Sequence, residues 1–287
     1  MATMRDIRRR IRTVRSIQQI TKALKMVAAA RLQRAQSRAT AARPYADEML
    51  AVISHMVSVE GAEEIQHPLL EVREPINLGL VVITSDRGMA GSYNGSVLRK
   101  AMEIMRDYDK DHIKLVTVGK KGRAFFSKRR FEIAADYPMP SSEVHFAEAQ
   151  EVSMRIREMF QSRQVDAVQI IYTRFYSAIR TRVTDLQLLP AMAPEGKPAE
   201  SQAEYIFEPP PVDLLGHLLP RYVDTQVFRA MLESLASEHG ARMTAMSSAT
   251  DNAGEMIDRL TLDFNRARQA AITKELAEIV GGAEALK

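Results

Sequence analysis

Cysteine and tryptophan are missing from this chain of 287 residues. Without a thiol there is no disulfide framework, no thiolate nucleophile, no zinc knuckle and no iron–sulfur cluster. Aromatic residues are scarce at 6%, whereas methionine occurs 16 times and alanine is common. That composition suits helices packed on helices better than an all-β core. Long apolar runs are lacking too: Leu78–Ile83 (LGLVVI) falls far short of the ~20 residues of a bilayer-spanning helix. The N-terminus carries charge but no apolar stretch behind it, so it does not read as a secretory signal. Its Arg-rich, acid-poor character resembles a mitochondrial transit segment, but the same helical pattern continues unbroken to residue 58, and that reading is set aside.

Acidic residues are nearly absent from the first 43 positions. Twelve Lys/Arg (Arg5, Arg8, Arg9, Arg10, Arg12, Arg15, Lys22, Lys25, Arg31, Arg34, Arg38, Arg43) face Asp6 alone, a balance of +11 in a chain whose net charge is +4. The other 244 residues therefore carry −7. A strongly basic segment is joined to a mildly acidic body, and function must account for that.

Apolar or small residues recur in steps of three and four at Ile7, Ile11, Val14, Ile17, Ile20, Leu24, Val27 or Ala28, Leu32, Ala35, Ala39, Ala42, Ala46, Met49, Ile53 and Met56. This is the seam of a coiled coil. No Gly precedes Gly61, and Pro44 is the one place for a local kink. The predicted helix starts near Thr3 and runs for about 55 residues, on the order of 80 Å. From Pro211 to Gly281 a second seam runs through Leu215, Leu219, Tyr222, Phe228, Leu232, Leu235, Met243, Met246, Ala253, Ile257, Leu260, Phe264, Ala267 and Ala271, with Gly281–Gly282 as the stop. Each rod needs a partner for its stripe, and an antiparallel pair requires only a domain inserted between them.

That insert has another texture. Leu78–Thr84, Ile113–Val118, Phe131–Ala134, Val165–Thr173 and Thr181–Leu188 read as strands, alternating with helical stretches Val97–Tyr108, Arg123–Lys128 and Phe146–Ser162. Such alternation predicts a small parallel α/β sheet, with Tyr205–Phe207 as a further edge strand after the polar loop 191–203. The expected architecture is thus α/β plus long α: an N-terminal coiled-coil helix (1–60), an inserted Rossmann-like α/β foot (75–210) and a C-terminal coiled-coil helix (211–287).

Chemical motifs are thin. Gly88, Gly91 and Gly95 follow one strand and Gly119 and Gly122 another, as in phosphate loops, yet neither set matches G-x-x-x-x-G-K-[ST] or G-x-G-x-x-G with its downstream acid. Tight βα turns want glycine regardless. The six histidines are scattered without H-x-H or H-E-x-x-H. Asp107, Asp109 and Asp111 imitate an EF-hand start, but His112 and Val118 stand where that loop needs Gly and Glu. No catalytic residue, cofactor or metal is expected. The cationic helix could be a nucleic-acid footprint, but no aromatic is interleaved before Tyr45 to stack on bases. An acidic protein surface accounts better for uncompensated charge around an unbroken seam. If the rods pair from the insert outward, the C-terminal one overhangs by about 15 residues, leaving Ala270, Ala271, Ile272, Leu276, Ile279 and Val280 without a partner in the chain. They imply an apolar sleeve on another protein.

Five stretches carry a resemblance over essentially the whole chain: ITKALKMVAAARL (Ile20–Leu32), TSDRGMAGSYN (Thr84–Asn94), YIFEP (Tyr205–Pro209), SEHGARMTAMSSATDNA (Ser237–Ala253) and NRARQAAITKELAEIVGGA (Asn265–Ala283), the last with I-T-x-E-x-x-E-x-x-x-G-A from Ile272. In order and content the chain resembles the gamma subunit of F-type ATP synthases, of bacterial type. The resemblance implies a non-catalytic rotor shaft, one copy per complex, turning inside a hexamer of alpha and beta subunits and passing torque from the membrane c-ring during ATP synthesis coupled to ion transport. It implies that Arg268 and Gln269 engage the beta subunits. Arg8, Arg9, Arg12 and Lys25 would face an acidic segment of beta, Leu24 would occupy a seam position at that interface, and Arg242, Thr273 and Glu275 would be further beta-subunit contacts that serve coupling. Tyr205 and Glu208 would touch the c-ring, the foot would also carry the epsilon subunit, and Ile272, Leu276, Ile279 and Val280 would form the apolar bearing tip. The expected location is the cytoplasmic face of the bacterial cell membrane, as a peripheral subunit with neither direct membrane insertion nor a nucleic-acid partner; the rival reading is a basic coiled-coil nucleic-acid binder. Without cysteine or a regulatory insert, the redox control of photosynthetic relatives is not expected.

Overall fold

The computed structural model describes residues 3–58, 67–191 and 211–284. The chain divides into two compact units: one formed by 1–28 with 243–287, the other by 29–242. Two helices contribute to both, α1 (Met4–Ser58, 55 residues) and α5 (Pro211–Glu284, 74 residues). Both run through their internal prolines, Pro44 and Pro220, and α5 also runs through the glycine pair at which the sequence predicted its stop.

In the terminal unit α1 begins with a reciprocal cap. The Thr3 hydroxyl accepts from the Asp6 amide, while the Thr3 amide and hydroxyl donate to the Asp6 carboxylate at 3.2 and 2.7 Å. Those bonds hold the Asp6 pKa below its ordinary value, and a carboxylate in the first turn also suits the helix dipole. The two helices run antiparallel: the Arg8 guanidinium lies over the Phe264 ring, the hydroxyls of Thr21 and Thr250 bond at 2.8 Å, and Lys25 donates to Ser247 at 2.9 Å.

The seam departs here from the one predicted. Ile17 and Ile20 face solvent, with Thr21 buried in their place, and of the two alternatives Val27 and Ala28 it is Ala28 that is buried. Gln18 reaches the Thr250 carbonyl, and a Cβ on Gly254 would meet its amide nitrogen at 3.2 Å. Three-and-four spacing fits two neighbouring stripes on this stretch, and hydrophobicity pointed to the outer one. The inner stripe is chosen because small and hydroxyl-bearing residues let the backbones approach and bond.

The second unit holds a five-stranded sheet in the order β3-β2-β1-β4-β5: β1 Leu78–Ile83, β2 Ile113–Val118, β3 Ile133–Tyr137, β4 Ala167–Phe175 and β5 Thr181–Leu189. The first four are parallel, but β5 pairs antiparallel with β4, which corrects the all-parallel expectation. A parallel return needs a crossover of a dozen or more residues, and only the short Tyr176–Arg180 turn is available. Strand β3 also lies two residues later than predicted, while α2 (Tyr93–Ile104) and α3 (Lys120–Lys128) begin earlier. Leu78, Leu80 and Val82 pack with Val97, Leu98, Ala101 and Phe126 from α2 and α3. Helix α4 (Phe146–Gln161) also packs on β1 and β4, and its Ser153 and Arg157 bind the buried Asp224 of α5. The possible edge strand Tyr205–Phe207 lies outside the described residues.

The glycine turns lock each other. Gly119 has φ of +100°, and a Cβ there would fall 2.2 Å from the Thr84 carbonyl oxygen. The Thr84 hydroxyl donates to the Val118 and Gly119 carbonyls and accepts from the Gly122 amide at 2.8 Å. At the start of α3, where a phosphate would sit in a nucleotide-binding domain, the Asp86 carboxylate accepts from the Lys120 amide at 3.0 Å.

Candidate functional site

Among the described residues no group of three or more His, Asp or Glu could hold a metal ion, and most of the candidate residues lie on surfaces. The first is the cationic face of α1 in the terminal unit. Arg8, Arg9, Arg12 and Lys25 are all exposed, as are Arg5, Arg10, Arg15 and Lys22. Among the described residues none of these eight forms an ion pair with a carboxylate. Arg8 stacks on Phe264 and Lys25 bonds to a hydroxyl, so both positions are fixed while their charges stay uncompensated. A shallow groove of ≈ 470 Å³ runs beside them, lined by Asp6, Arg9, Arg10, Thr13, Val14, Met256 and Leu260.

Beside this collar runs the outward stripe of Ile17, Ile20 and Val27, each about half exposed, with Leu24 half-buried at its edge. Sequence reasoning placed all four in the seam, and only the resemblance also set Leu24 at a partner interface. The combination is an exposed apolar line flanked by unpaired cations, a pattern of interaction surfaces more than of solvated helix faces.

Farther along α5, Arg268, Gln269, Thr273 and Glu275 are exposed. The Thr273 hydroxyl is turned back on the Gln269 carbonyl of its own helix at 3.0 Å. Ile272, Leu276, Ile279 and Val280 are half or more exposed, leaving an apolar tip open to solvent. Tyr205 and Glu208 lie outside the described residues.

Arg242 is placed differently from the other candidates. Its side chain is nearly buried in the second unit, paired with Glu238 at 2.7 Å and donating to the Gly88 carbonyl at 3.1 Å. The position expected to face a partner thus fastens α5 to the turn after β1. Burial pushes the Glu238 pKa up, with Arg242 opposing, and His239 beside it is driven down to about 4 by burial and by the Arg242 and Arg31 charges. The Tyr93 hydroxyl, buried nearby, is pushed above its ordinary range by burial and the Glu238 charge. Arg31 of α1 donates to the Ser141 carbonyl at 3.0 Å in this unit. Glu233, Ser234 and Ser237, missed by the sequence reading, are also fully buried on α5. Their only signal was polarity in or directly after an otherwise apolar helical run, Leu232 to Ala236.

A family model described as ATP synthase matches residues 3–286. The ATP synthase gamma chain of Heliobacterium modesticaldum is 50% identical over an alignment of 293 residues that covers all of both chains. That of Desulforamulus reducens is 47% identical, again over the whole of both. Among solved structures, a chain of the central stalk and c-ring of the Tetrahymena thermophila mitochondrial ATP synthase superposes with a TM-score of 0.61 at 26% identity, covering 80% of this chain and 99% of its own. A chain of the Euglena gracilis mitochondrial ATP synthase shares the fold, with a TM-score of 0.71 at 20% identity, 99% of this chain and 94% of its own being covered.

Proposed function

Because the chain belongs to the ATP synthase gamma-chain family, we propose that it works as a turning shaft and performs no bond chemistry itself. It is a central-stalk subunit of F-type ATP synthase, a peripheral part of a membrane-bound complex. Its partners in the proposal are the alpha and beta subunits of the catalytic hexamer, the epsilon subunit and the membrane c-ring, with one copy per complex on the cytoplasmic face of the bacterial membrane.

The observation that carries this reading is a collar of eight cations that form no ion pair with a carboxylate among the described residues, set beside an apolar stripe and below an apolar tip. Such a surface has its complement elsewhere. Acidic faces of the beta subunits would read Arg8, Arg9, Arg12, Leu24 and Lys25, while Arg268, Gln269, Thr273 and Glu275 would engage beta higher on the shaft. Ile272, Leu276, Ile279 and Val280 would run in an apolar sleeve. Ion flow turns the c-ring, Tyr205 and Glu208 pass the motion to the foot, and the shaft presents a different face to each beta subunit in turn. Each catalytic site then moves between states of different nucleotide affinity through differential contacts. Arg242 serves coupling from inside the foot, by holding α5 to the Gly88 turn.

Reconstitution tests the reading. Mixing the chain with alpha and beta subunits is expected to give one ATP-hydrolysing complex holding a single copy of it. Failure to assemble, together with steeply salt-dependent DNA binding by the free chain, would replace this reading with that of a nucleic-acid binder.

A further inference from the structure

Strand β4 is longer than the neighbour that supports it. Its pairing with β1 ends at Val82 opposite Ile171, while its pairing with β5 continues to Phe175 opposite Thr181. From Thr173 to Phe175, therefore, β4 has a strand on one side only, and its other edge presents bare backbone groups inside the protein.

That edge is filled by side chains from helices. The Ser234 hydroxyl of α5 accepts from the Thr173 amide at 3.3 Å, and the Ser237 hydroxyl, one turn on, donates to the Thr173 carbonyl at 3.0 Å. The Glu233 carboxylate accepts from the Phe175 amide at 3.3 Å, and the Arg43 guanidinium of α1 donates to the Phe175 carbonyl at 2.6 Å. Arg43 and Arg229 both bind the other oxygen of Glu233, and Arg229 also bonds Asp47 of α1 at 2.8 Å. Four backbone groups of one strand are thus met by two long helices as a neighbouring strand would meet them. Met231 to Gly240 is buried throughout, although half of it is polar, and a Cβ on Gly240 would come within 3.2 Å of the Ala178 carbonyl oxygen.

We propose that this side-chain ladder, Glu233, Ser234 and Ser237 of α5 with Arg43 of α1, is the splice through which twist passes between the sheet of the foot and the long helices. The inference rests on the shaft reading above and adds a site to it. Apolar contact resists separation of a helix from a sheet but is non-directional and yields to sliding. Hydrogen bonds fix distance and angle, and bonds to strand backbone cannot swing aside as bonds between two side chains can. Glu233 joins α1, α5 and β4 at one carboxylate, so neither helix can slip against the sheet alone. These four are positioning residues, remote from nucleotide chemistry.

The test uses the complex reconstituted with alpha and beta subunits, the hexamer fixed to a surface. The absence of native cysteine lets Lys128→Cys carry a single rotation probe on the foot. Angular fluctuation of the stalled rotor measures its torsional stiffness. Ser234→Ala with Ser237→Ala removes two of the four strand bonds and is expected to lower stiffness about two-fold, while ATP hydrolysis without load stays within two-fold of the parent. Arg43→Met, an independent removal, is expected to soften the rotor likewise. Leu235→Ala, which loses buried packing but no strand bond, is expected to lower the urea midpoint and leave stiffness unchanged. Parent-like stiffness in both ladder variants, or equal softening in Leu235→Ala, would overturn the splice. A parent chain that assembles no rotating complex would overturn the shaft reading first, and with it this inference.

Discussion

The outward stripe on α1 gives a prediction in which stability and assembly move separately. Ile17, Ile20 and Val27 are 47%, 56% and 49% exposed, so about half of each side chain is already covered within the chain. Fully burying an aliphatic side chain of this size is worth ~1.5–3 kcal/mol. A sleeve that covers the remaining halves gains about 2–4 kcal/mol over the three. Replacing all three by Ser should therefore weaken the hold of the hexamer on the shaft by roughly 30- to 700-fold, at 1.4 kcal/mol per decade. Surface substitutions in the free chain each stay within about 0.5 kcal/mol, so each single Ser variant should shift its urea midpoint only slightly. The inward neighbour behaves in reverse. Thr21→Ala removes the bond to Thr250 and should lower the stability of the free chain by about 1 kcal/mol. Urea unfolding of the isolated chain and competitive exchange of labelled shaft from the reconstituted complex measure the two effects. Should any one of the three single Ser variants destabilise the free chain more than Thr21→Ala does, the assignment of inner and outer stripes is wrong. Should exchange be unchanged, nothing apolar covers the stripe.

Three further outcomes follow from other sites. His239 has its folded pKa near 4 against an ordinary 6.5; the unfolded chain then binds the proton more tightly, and stability falls as pH drops from 6.5 towards 4. Glu238, shifted upward, works in the opposite sense above its ordinary 4.5, so the difference between parent and His239→Asn urea midpoints across that window isolates the histidine; parallel pH profiles would refute the shift. Gly119→Ala forces a Cβ to 2.2 Å from the Thr84 carbonyl at a positive φ, and a loss of 2 kcal/mol or more, read as a fall of several degrees in the thermal midpoint, is expected. Leu24→Lys adds a cation at the half-buried edge of the stripe and should uncouple ATP-driven pumping from hydrolysis more than Arg9→Ala does, since exposed ionic contacts are worth little singly; full coupling in Leu24→Lys would remove it from the interface.

What could be read from the sequence tracks how local each cause is. The long helices were legible because their stripes repeat every three or four residues, and α1 also holds no glycine and a single proline. Strand β1 was legible as a six-residue apolar run that is buried throughout. The direction of β5 was also available, since its short connection to β4 excludes a crossover, but the strand–helix alternation before it suggested otherwise. The seam between Val14 and Ala28 was not legible: two stripes were possible, and Thr250 and Ser247, which select between them, lie more than 220 residues away. The contacts of Arg242 were legible only in part: its pairing with Glu238 is an i,i+4 spacing, but Gly88 is 154 residues distant and offers only a carbonyl, which has no sequence signature.

That separation has a consequence for how the chain comes to exist. The bond between Thr21 and Thr250 closes a span of 229 residues, so α1 leaves the ribosome long before its partner is made. At roughly 5–20 residues per second, its seam waits on the order of 10–45 s for α5. The sheet between them is contiguous in sequence and free to form during that interval, and the ladder on β4 can be completed only when Glu233 and its neighbours emerge. Synthesis therefore builds the foot first and closes the shaft last. The newborn α1 must meanwhile be kept from premature association, and its eight exposed cations, repelling one another and any second copy, supply part of that protection before any other subunit arrives.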